Sequence, residues 1–349
     1  MIERTPSKSS AITPANSYTT PWTARAYDAL PGTHFRIGIC FTAAVLGVYI
    51  VGRIMVDGSE NSTPKDLRLA IIHILLAGYS ASMYAYLLTT AKKSAHALAS
   101  TIGPALTRHM IVDRAGKHHW WALLCVAIAV NLIAAAITIQ STTGLLHPWD
   151  WQALEYDVRW HRVVGLFFSW WIGCSLYVVV VESARLSRLS DDIQSLDLLE
   201  LRRFEPLVRQ GLTNALLVVG MASVMSLFVL DLGFILVLVG AWIAMVIIAW
   251  VGLTLPLRGI RAKIRNTTNQ ELQWCQHALK TATEALKTGA VRTQSIADII
   301  AYKTTIVEAR TWPFDNPTLV RFALYLLIPL GSWVGAAFVE RGLDLFLSF

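Results

Sequence analysis

Long apolar runs separated by polar segments dominate the chain. Seven of them approach the roughly 20 apolar residues that a helix needs to cross a bilayer. They are Phe35–Val56, Leu67–Leu88, Trp120–Gln140, His161–Val181, Gly211–Leu230, Leu232–Leu255 and Leu319–Val339. The fifth and sixth runs form one stretch, interrupted only at 231–233 and too long for a single crossing, which predicts a tight helical hairpin. The pattern predicts an all-α, polytopic helical membrane protein with about seven transmembrane helices.

Composition supports this fold class. Of the 349 residues, 54% are hydrophobic and only 15% are charged, whereas an average soluble protein is about 25% charged. A water-soluble globule is therefore excluded. The alternating ten-residue pattern of an outer-membrane barrel is absent from the sequence, so helices with closed backbone hydrogen bonding remain.

The distribution of basic residues predicts the orientation. With a cytoplasmic amino terminus, 24 of the 30 Lys and Arg residues lie in segments assigned to the inner side, as the positive-inside rule requires. The same assignment places the carboxyl terminus outside. It also explains the net charge of +7 without a nucleic-acid partner, and the short loops favour a prokaryotic inner (plasma) membrane.

Four regions follow from these spans. They are a mobile cytoplasmic tail at 1–34, a six-helix transmembrane bundle at 35–255 with an inner amphipathic helix at 183–209, a cytoplasmic helical hairpin at 256–318, and the seventh transmembrane helix with a short outer tail at 319–349. In the hairpin, Leu272, Cys275, Leu279 and Leu286 form a short heptad-like seam, which predicts packing of one helix on another.

The second span is the most polar of the seven. His73, Ser80 and Tyr84 follow one helical stripe, and an ionisable group within a span usually faces water or protein. One hypothesis is that this helix lines a water-filled path or a ligand pocket. The other is a packed helix whose hydroxyls bond to carbonyls. Asn131 in the third span is a further polar candidate, more typical of contacts between helices.

Small residues predict close helix contacts. Gly165, Ser169 and Gly173 recur every four residues in the fourth span, and Gly331 and Gly335 do so in the seventh. Such faces let helices approach closely in lipid. Packing within the bundle and packing between subunits of a homo-oligomer both explain them.

The sequence predicts no metal site, cofactor or catalytic residue. His73, His147 and His161 fall near the outer boundary, yet no pair of them has the i,i+4 spacing of ligands on one helix. The cysteines form no CxxC pair, and the common nucleotide-binding and hydrolase motifs do not occur. Asp191 and Asp192 leave open an enzyme acting on lipid-linked substrates, as the weakest of three hypotheses.

Two functions remain ahead of it. The first is a non-enzymatic signal-relay or assembly subunit that acts through the hairpin on a cytoplasmic protein partner. The alternative is an oligomeric ion channel or small-solute transporter whose path is lined by the polar second helix.

Overall fold

The computed structural model describes residues 18–56, 64–101, 112–142, 155–191, 201–230, 235–287 and 293–308, with isolated positions at 193, 198, 320, 324, 327 and 331. Its helices are α1 Trp22–Ala29, α2 His34–Val56, α3 Pro64–Thr101, α4 Trp120–Thr142, α5 Tyr156–Asp191, α6 Glu205–Met225, α7 Ile235–Thr254, α8 Arg258–Lys287 and α9 Thr293–Glu308. Short 3-10 turns occupy Leu201–Phe204, Ser226–Leu230 and Leu255–Leu257. Two-residue strands, β1 Tyr18–Thr19 and β2 His118–His119, pair antiparallel.

Five helical segments are long and apolar enough to cross a membrane. They are His34–Val56, Asp66–Ala99, Tyr156–Ser190, Glu205–Phe228 and Val239–Lys287. The third predicted span coincides with α4, a helix of 23 residues that contains the apolar stretch Trp120–Ala135. The seventh predicted span, Leu319–Val339, lies outside the described residues except for four helical positions. The helical fold is therefore confirmed, with five helices long and apolar enough to cross a membrane, and the count of seven stays a prediction.

Helix α3 is the centre of the bundle. It packs against α2, α5 and α6, and 72% of its apolar window is buried, against 6% for α2. Leu76, Met83 and Leu98 on α3 are fully buried. The most polar span is thus the one most enclosed by other helices, and its Ala, Ser and Gly side chains leave room for that close packing.

The outward faces of α2, α4 and α7 are apolar. Met55 is 82% exposed, Leu132 is 65% exposed and Trp250 is 57% exposed. Apolar surface on this scale is costly in water and is typical of a surface covered by lipid or protein. These faces fit a bundle embedded in a bilayer.

The segment predicted as a separate amphipathic helix at 183–209 differs in the structure. Helix α5 continues without a break from the fourth span to Asp191. The amphipathic prediction rested on apolar residues at helical spacing in this segment, among them Leu186 and Leu189. These two side chains are 1% and 0% exposed, in one core cluster with Phe204 and Leu207. A stripe of helical period has the same sequence signature whether it faces lipid or neighbouring helices, and here it faces protein.

The region predicted as a mobile tail at 1–34 is partly ordered. Residues 18–34 contain β1 and α1, and the Tyr27 and His34 rings stack with centroids 6.3 Å apart. Residues 1–17 lie outside the described part of the chain. Pairing of a two-residue strand with a distant segment has no local sequence signal, so the order of 18–34 was missed.

Helices α8 and α9 pack against each other beyond the apolar segments. Cys275 on α8 and Ile306 on α9 are 0% and 2% exposed. Tyr302 meets Trp274 edge to face, with ring centroids 6.0 Å apart, and its hydroxyl donates to Glu271 across 3.3 Å. Only the 3-10 turn Leu255–Leu257 separates α7 from α8. The chain therefore stays helical over the 49 residues from Val239 to Lys287.

Candidate functional site

Glu182 is the most enclosed carboxylate of the described chain that is held by several donors. It follows the apolar run of α5 and is only 2% exposed. Its Oε1 accepts from the Gly116 backbone N–H at 3.0 Å and from Arg185 at 2.6 Å, and His118 Nε2 lies 3.1 Å away. A buried charge is tolerated only with such partners. These four residues are called the Glu182 cluster below.

The loop before α4 is shaped to reach Glu182. Gly116 has φ +69°, a left-handed conformation that L side chains adopt at a cost. A Cβ at this position would lie 2.5 Å from Cε of Lys92. Glycine is therefore favoured by the backbone conformation, and a larger residue would also displace the Lys92 side chain of α3.

Arg185 fixes the same loop from the other side. Besides Glu182, its guanidinium donates to the carbonyl oxygens of Arg114 at 2.8 Å and Lys117 at 3.1 Å. One turn of α5 therefore holds both N–H and C=O groups of 114–118. Since β2 begins at His118 and pairs with β1, this turn also anchors the amino-terminal strand to the bundle.

A chain of buried side-chain hydrogen bonds lies at the same end of the bundle and links three helices. Ser94 of α3 donates to Gln210 Oε1 at 3.0 Å. Gln210 donates to Asn214 Oδ1 at 2.8 Å, and Asn214 donates to Ser183 of α5 at 3.0 Å. This Gln210–Asn214 network satisfies groups that would be costly in an apolar core and fixes α3, α5 and α6 relative to one another.

The junction of α7 and α8 packs on the end of α5. Pro256 lacks a backbone N–H, and the chain tightens into a 3-10 turn at Leu255–Leu257, as is common where an α-helix is interrupted. The next N–H groups need other acceptors. Gly259 N–H donates to Ser187 Oγ at 3.1 Å, and Ile260 nearby is fully buried. The junction is thus attached to α5 five residues after Glu182.

A second polar cluster ties α2 to α5 at the opposite end. Asp157, 4% exposed, accepts from the Tyr49 hydroxyl at 2.9 Å and lies 3.3 Å from Arg53. Tyr156 donates to the Tyr49 carbonyl at 3.2 Å. Because α2 is mostly exposed, this Asp157 cluster is one of its few buried attachments.

The structure places the polar candidates of the second span inside the bundle. Ser80 is buried and donates to the Ala77 carbonyl at 3.2 Å. Tyr84 is 1% exposed and packs on Trp171, with centroids 5.3 Å apart. His73 is half-buried, its Nδ1 lying 2.7 Å from the Leu69 carbonyl. The contacts match the hypothesis of a packed helix at Ser80 and Tyr84.

The small-residue face of the fourth span meets α4. Ser169 donates to Asn131 Oδ1 at 2.7 Å, and Asn131 donates to the Ala127 carbonyl at 2.9 Å. A Cβ at Gly173 would lie 3.2 Å from Ala127 Cα. Ser169, Gly173 and Asn131 therefore serve packing within the bundle. A Cβ at Gly165 would meet, among the described residues, only Phe168 of its own helix, 3.9 Å away.

The remaining candidates are less enclosed. In the seam, Cys275 is buried, Leu272 and Leu279 are partly buried, and Leu286 is 41% exposed. Gly331 is helical and exposed, and Gly335 and His147 lie outside the described residues.

Sequence reasoning missed the most connected residues. Glu182, Gln210 and Asn214 stand at the edges of apolar runs, where polar residues are ordinary. A signal existed for the α2–α3 crossing: Gly38 and Gly78 approach each other, and the pattern small-xxx-small occurs at Gly38/Thr42 and Gly78/Ser82.

The hydrogen bonds and ion pairs of these clusters hold helices and loops in place relative to one another. Among the described residues, no group of three or more His, Cys, Asp or Glu side chains could hold a metal ion. Comparison with known proteins adds no assignment, since no family model, curated protein or solved structure matches the chain significantly.

Proposed function

We propose that the protein is a non-enzymatic signal-relay or assembly subunit of a membrane, acting on a cytoplasmic protein partner through α8 and α9. The observation that carries this proposal is the 49-residue helical segment Val239–Lys287. It starts in an apolar, membrane-compatible helix and ends in a polar hairpin. A movement of α7 in the bundle would therefore be delivered to α8 without an intervening flexible linker.

The contacts at the junction support this route. The Gly259 N–H donates to the Ser187 hydroxyl of α5. Helix α5 also carries Glu182 of the Glu182 cluster and Ser183, which accepts from Asn214 of the Gln210–Asn214 network. At its other end α5 carries Asp157. One helix thus connects attachments at both ends of the bundle to the base of the hairpin.

The hairpin offers apolar side chains to a partner. Trp274 on α8 is 56% exposed, and Ile300 and Val307 on α9 are 50% and 60% exposed. Helix α8 is otherwise polar and basic, whereas α9 carries one Lys against one Asp and one Glu. The exposed apolar side chains are therefore potential protein contacts.

The orientation belongs to the same proposal. The positive-inside distribution puts α8 and α9 in the cytoplasm of a prokaryotic cell, with the amino terminus on the same side. The alternative, a channel or transporter lined by the second span, has less support because Ser80 and Tyr84 are enclosed by neighbouring helices.

In-cell photocrosslinking tests the proposal. A photoreactive amino acid replaces Ile300 in one variant and Lys280, which is exposed on α8, in the control. We expect a discrete crosslinked protein at 300 that is lost on Trp274→Ser and is weak or missing at 280. Equal labelling at both positions, or none at 300, would contradict a specific partner at the hairpin.

A further inference from the structure

We propose that His73 and His161 form a two-histidine binding site for a divalent transition metal such as Zn²⁺ or Cu²⁺, completed by water. The site is independent of the relay function. It rests on the juxtaposition of two imidazoles from different helices, α3 and α5, whose ring centroids are 4.7 Å apart.

The separation of the rings fits shared coordination. A metal ion about 2.1 Å from one nitrogen of each ring, with a bond angle of about 90–109°, would place the centroids about 4.5–5.2 Å apart. A linear two-coordinate ion would require about 6.4 Å. The observed distance therefore favours the tetrahedral or tetragonal geometry of Zn²⁺ or Cu²⁺ over linear coordination.

The protonation of His73 leaves a nitrogen available. Its Nδ1 lies 2.7 Å from the Leu69 carbonyl oxygen, and a carbonyl can only accept. Nδ1 therefore carries the proton, and Nε2 of the neutral ring carries the lone pair. A bond from the second nitrogen to a backbone carbonyl is typical of histidines that coordinate metals.

A bound metal would give a partner to a ring nitrogen of His161. Both of its ring nitrogens are buried without a hydrogen-bond partner among the described residues. Buried polar groups are nearly always satisfied. Coordination by one nitrogen would satisfy the ring's acceptor.

The side chains around the His73 ring are aromatic. Phe168 and Phe228 meet the His73 ring edge to face, with centroids 5.4 Å and 5.1 Å away. Such an apolar shell limits solvent access and orients the ligands.

Metal loading of the purified full-length protein tests the site. The protein in detergent is incubated with Zn²⁺ or Cu²⁺ and desalted, and its metal content is measured. We expect one ion per chain in the wild type and loss of that ion in the His73→Gln/His161→Gln double variant. The control is His96→Gln, because His96 makes the same bond to a backbone carbonyl, at 2.8 Å, on an exposed surface.

Pulsed electron paramagnetic resonance of the Cu²⁺-loaded wild type does not depend on variant folding. Two imidazole ligands are expected, falling to one in either single variant. Fewer than two imidazoles in the wild type, or equal metal content in the wild type and a folded double variant, would overturn the site.

Discussion

At the scale of single residues, the Glu182 carboxylate is constrained from three sides. It accepts from a backbone N–H and a guanidinium and lies beside an imidazole, with almost no solvent contact. The interaction between such partners is strong in a low dielectric, but each partner also loses its hydration. Its contribution therefore becomes visible when one partner is removed.

Replacing Glu182 by alanine is expected to destabilise the protein by about 3–5 kcal/mol, because the Gly116 N–H would lose its acceptor and the Arg185 guanidinium its counter-charge. Denaturant unfolding in detergent measures this change. The matched control is Glu284→Ala on the exposed surface of α8, for which a change within about 0.5 kcal/mol is expected. Equal effects of the two substitutions would show that the cluster adds no stability.

Two glycine-to-alanine substitutions are expected to change the free energy of unfolding in opposite directions. Gly116→Ala should cost about 1–2 kcal/mol for the left-handed backbone alone, and more because Lys92 must move. Gly47→Ala on α2 should instead stabilise by up to about 1 kcal/mol, since nothing lies within 4 Å of its added Cβ. Denaturant unfolding of both variants is compared with that of the wild type. A change of stability in the same direction for both would contradict the backbone conformation at Gly116 or the open space at Gly47.

At the scale of elements, hydrophobic periodicity predicted the positions of the helices along the chain, but not which helices pack against each other. The runs beginning at Phe35, Leu67 and His161 all became helices. Their ends moved outward: α3 extends to Thr101 and α5 to Asp191, because polar helical turns continue past the apolar segment. Which face meets which helix depends on contacts such as Asp157 with Tyr49, and these join residues 108 positions apart.

The attachment of α2 to α5 is tested by a double-mutant cycle. Tyr49→Phe and Asp157→Asn each remove part of the buried interaction, so we expect a coupling energy of about 0.5–3 kcal/mol between them. Tyr49→Phe combined with Ser94→Ala, at the other end of the bundle, should be additive within about 0.5 kcal/mol. Coupling no larger in the first cycle than in the second would mean that the Asp157 cluster does not hold α2.

The pairing of His73 with His161 was the feature least predictable from the sequence. His73 and His161 were grouped with His147 near the outer boundary, but the prediction of no metal site rested on i,i+4 spacing, which considers one helix at a time. The two rings meet because α3 and α5 pack side by side. Tertiary packing of this kind has no signature in the spacing of a single sequence.

At the scale of the whole molecule, α5 connects the two polar ends of the bundle and the base of the α8–α9 hairpin. The connection at the base is the bond from Gly259 to Ser187, supported by the buried side chains of Pro256 and Ile260. Since α8 follows α7 with only a 3-10 turn between them, the hairpin should be stable only while this junction is packed.

Hydrogen–deuterium exchange of the purified protein, read on the amides of 259–287, tests the proposed coupling most directly. Ser187→Ala removes the acceptor of the Gly259 N–H, a hydrogen bond worth about 1 kcal/mol, so exchange in this segment should accelerate about fivefold. Ser175→Ala on the same helix is the control, because the buried Ser175 hydroxyl has no partner among the described residues. Faster exchange at 259–287 in Ser187→Ala alone is the predicted result. Unchanged exchange there, or equal acceleration in both variants, would contradict a hairpin coupled to the bundle through α5.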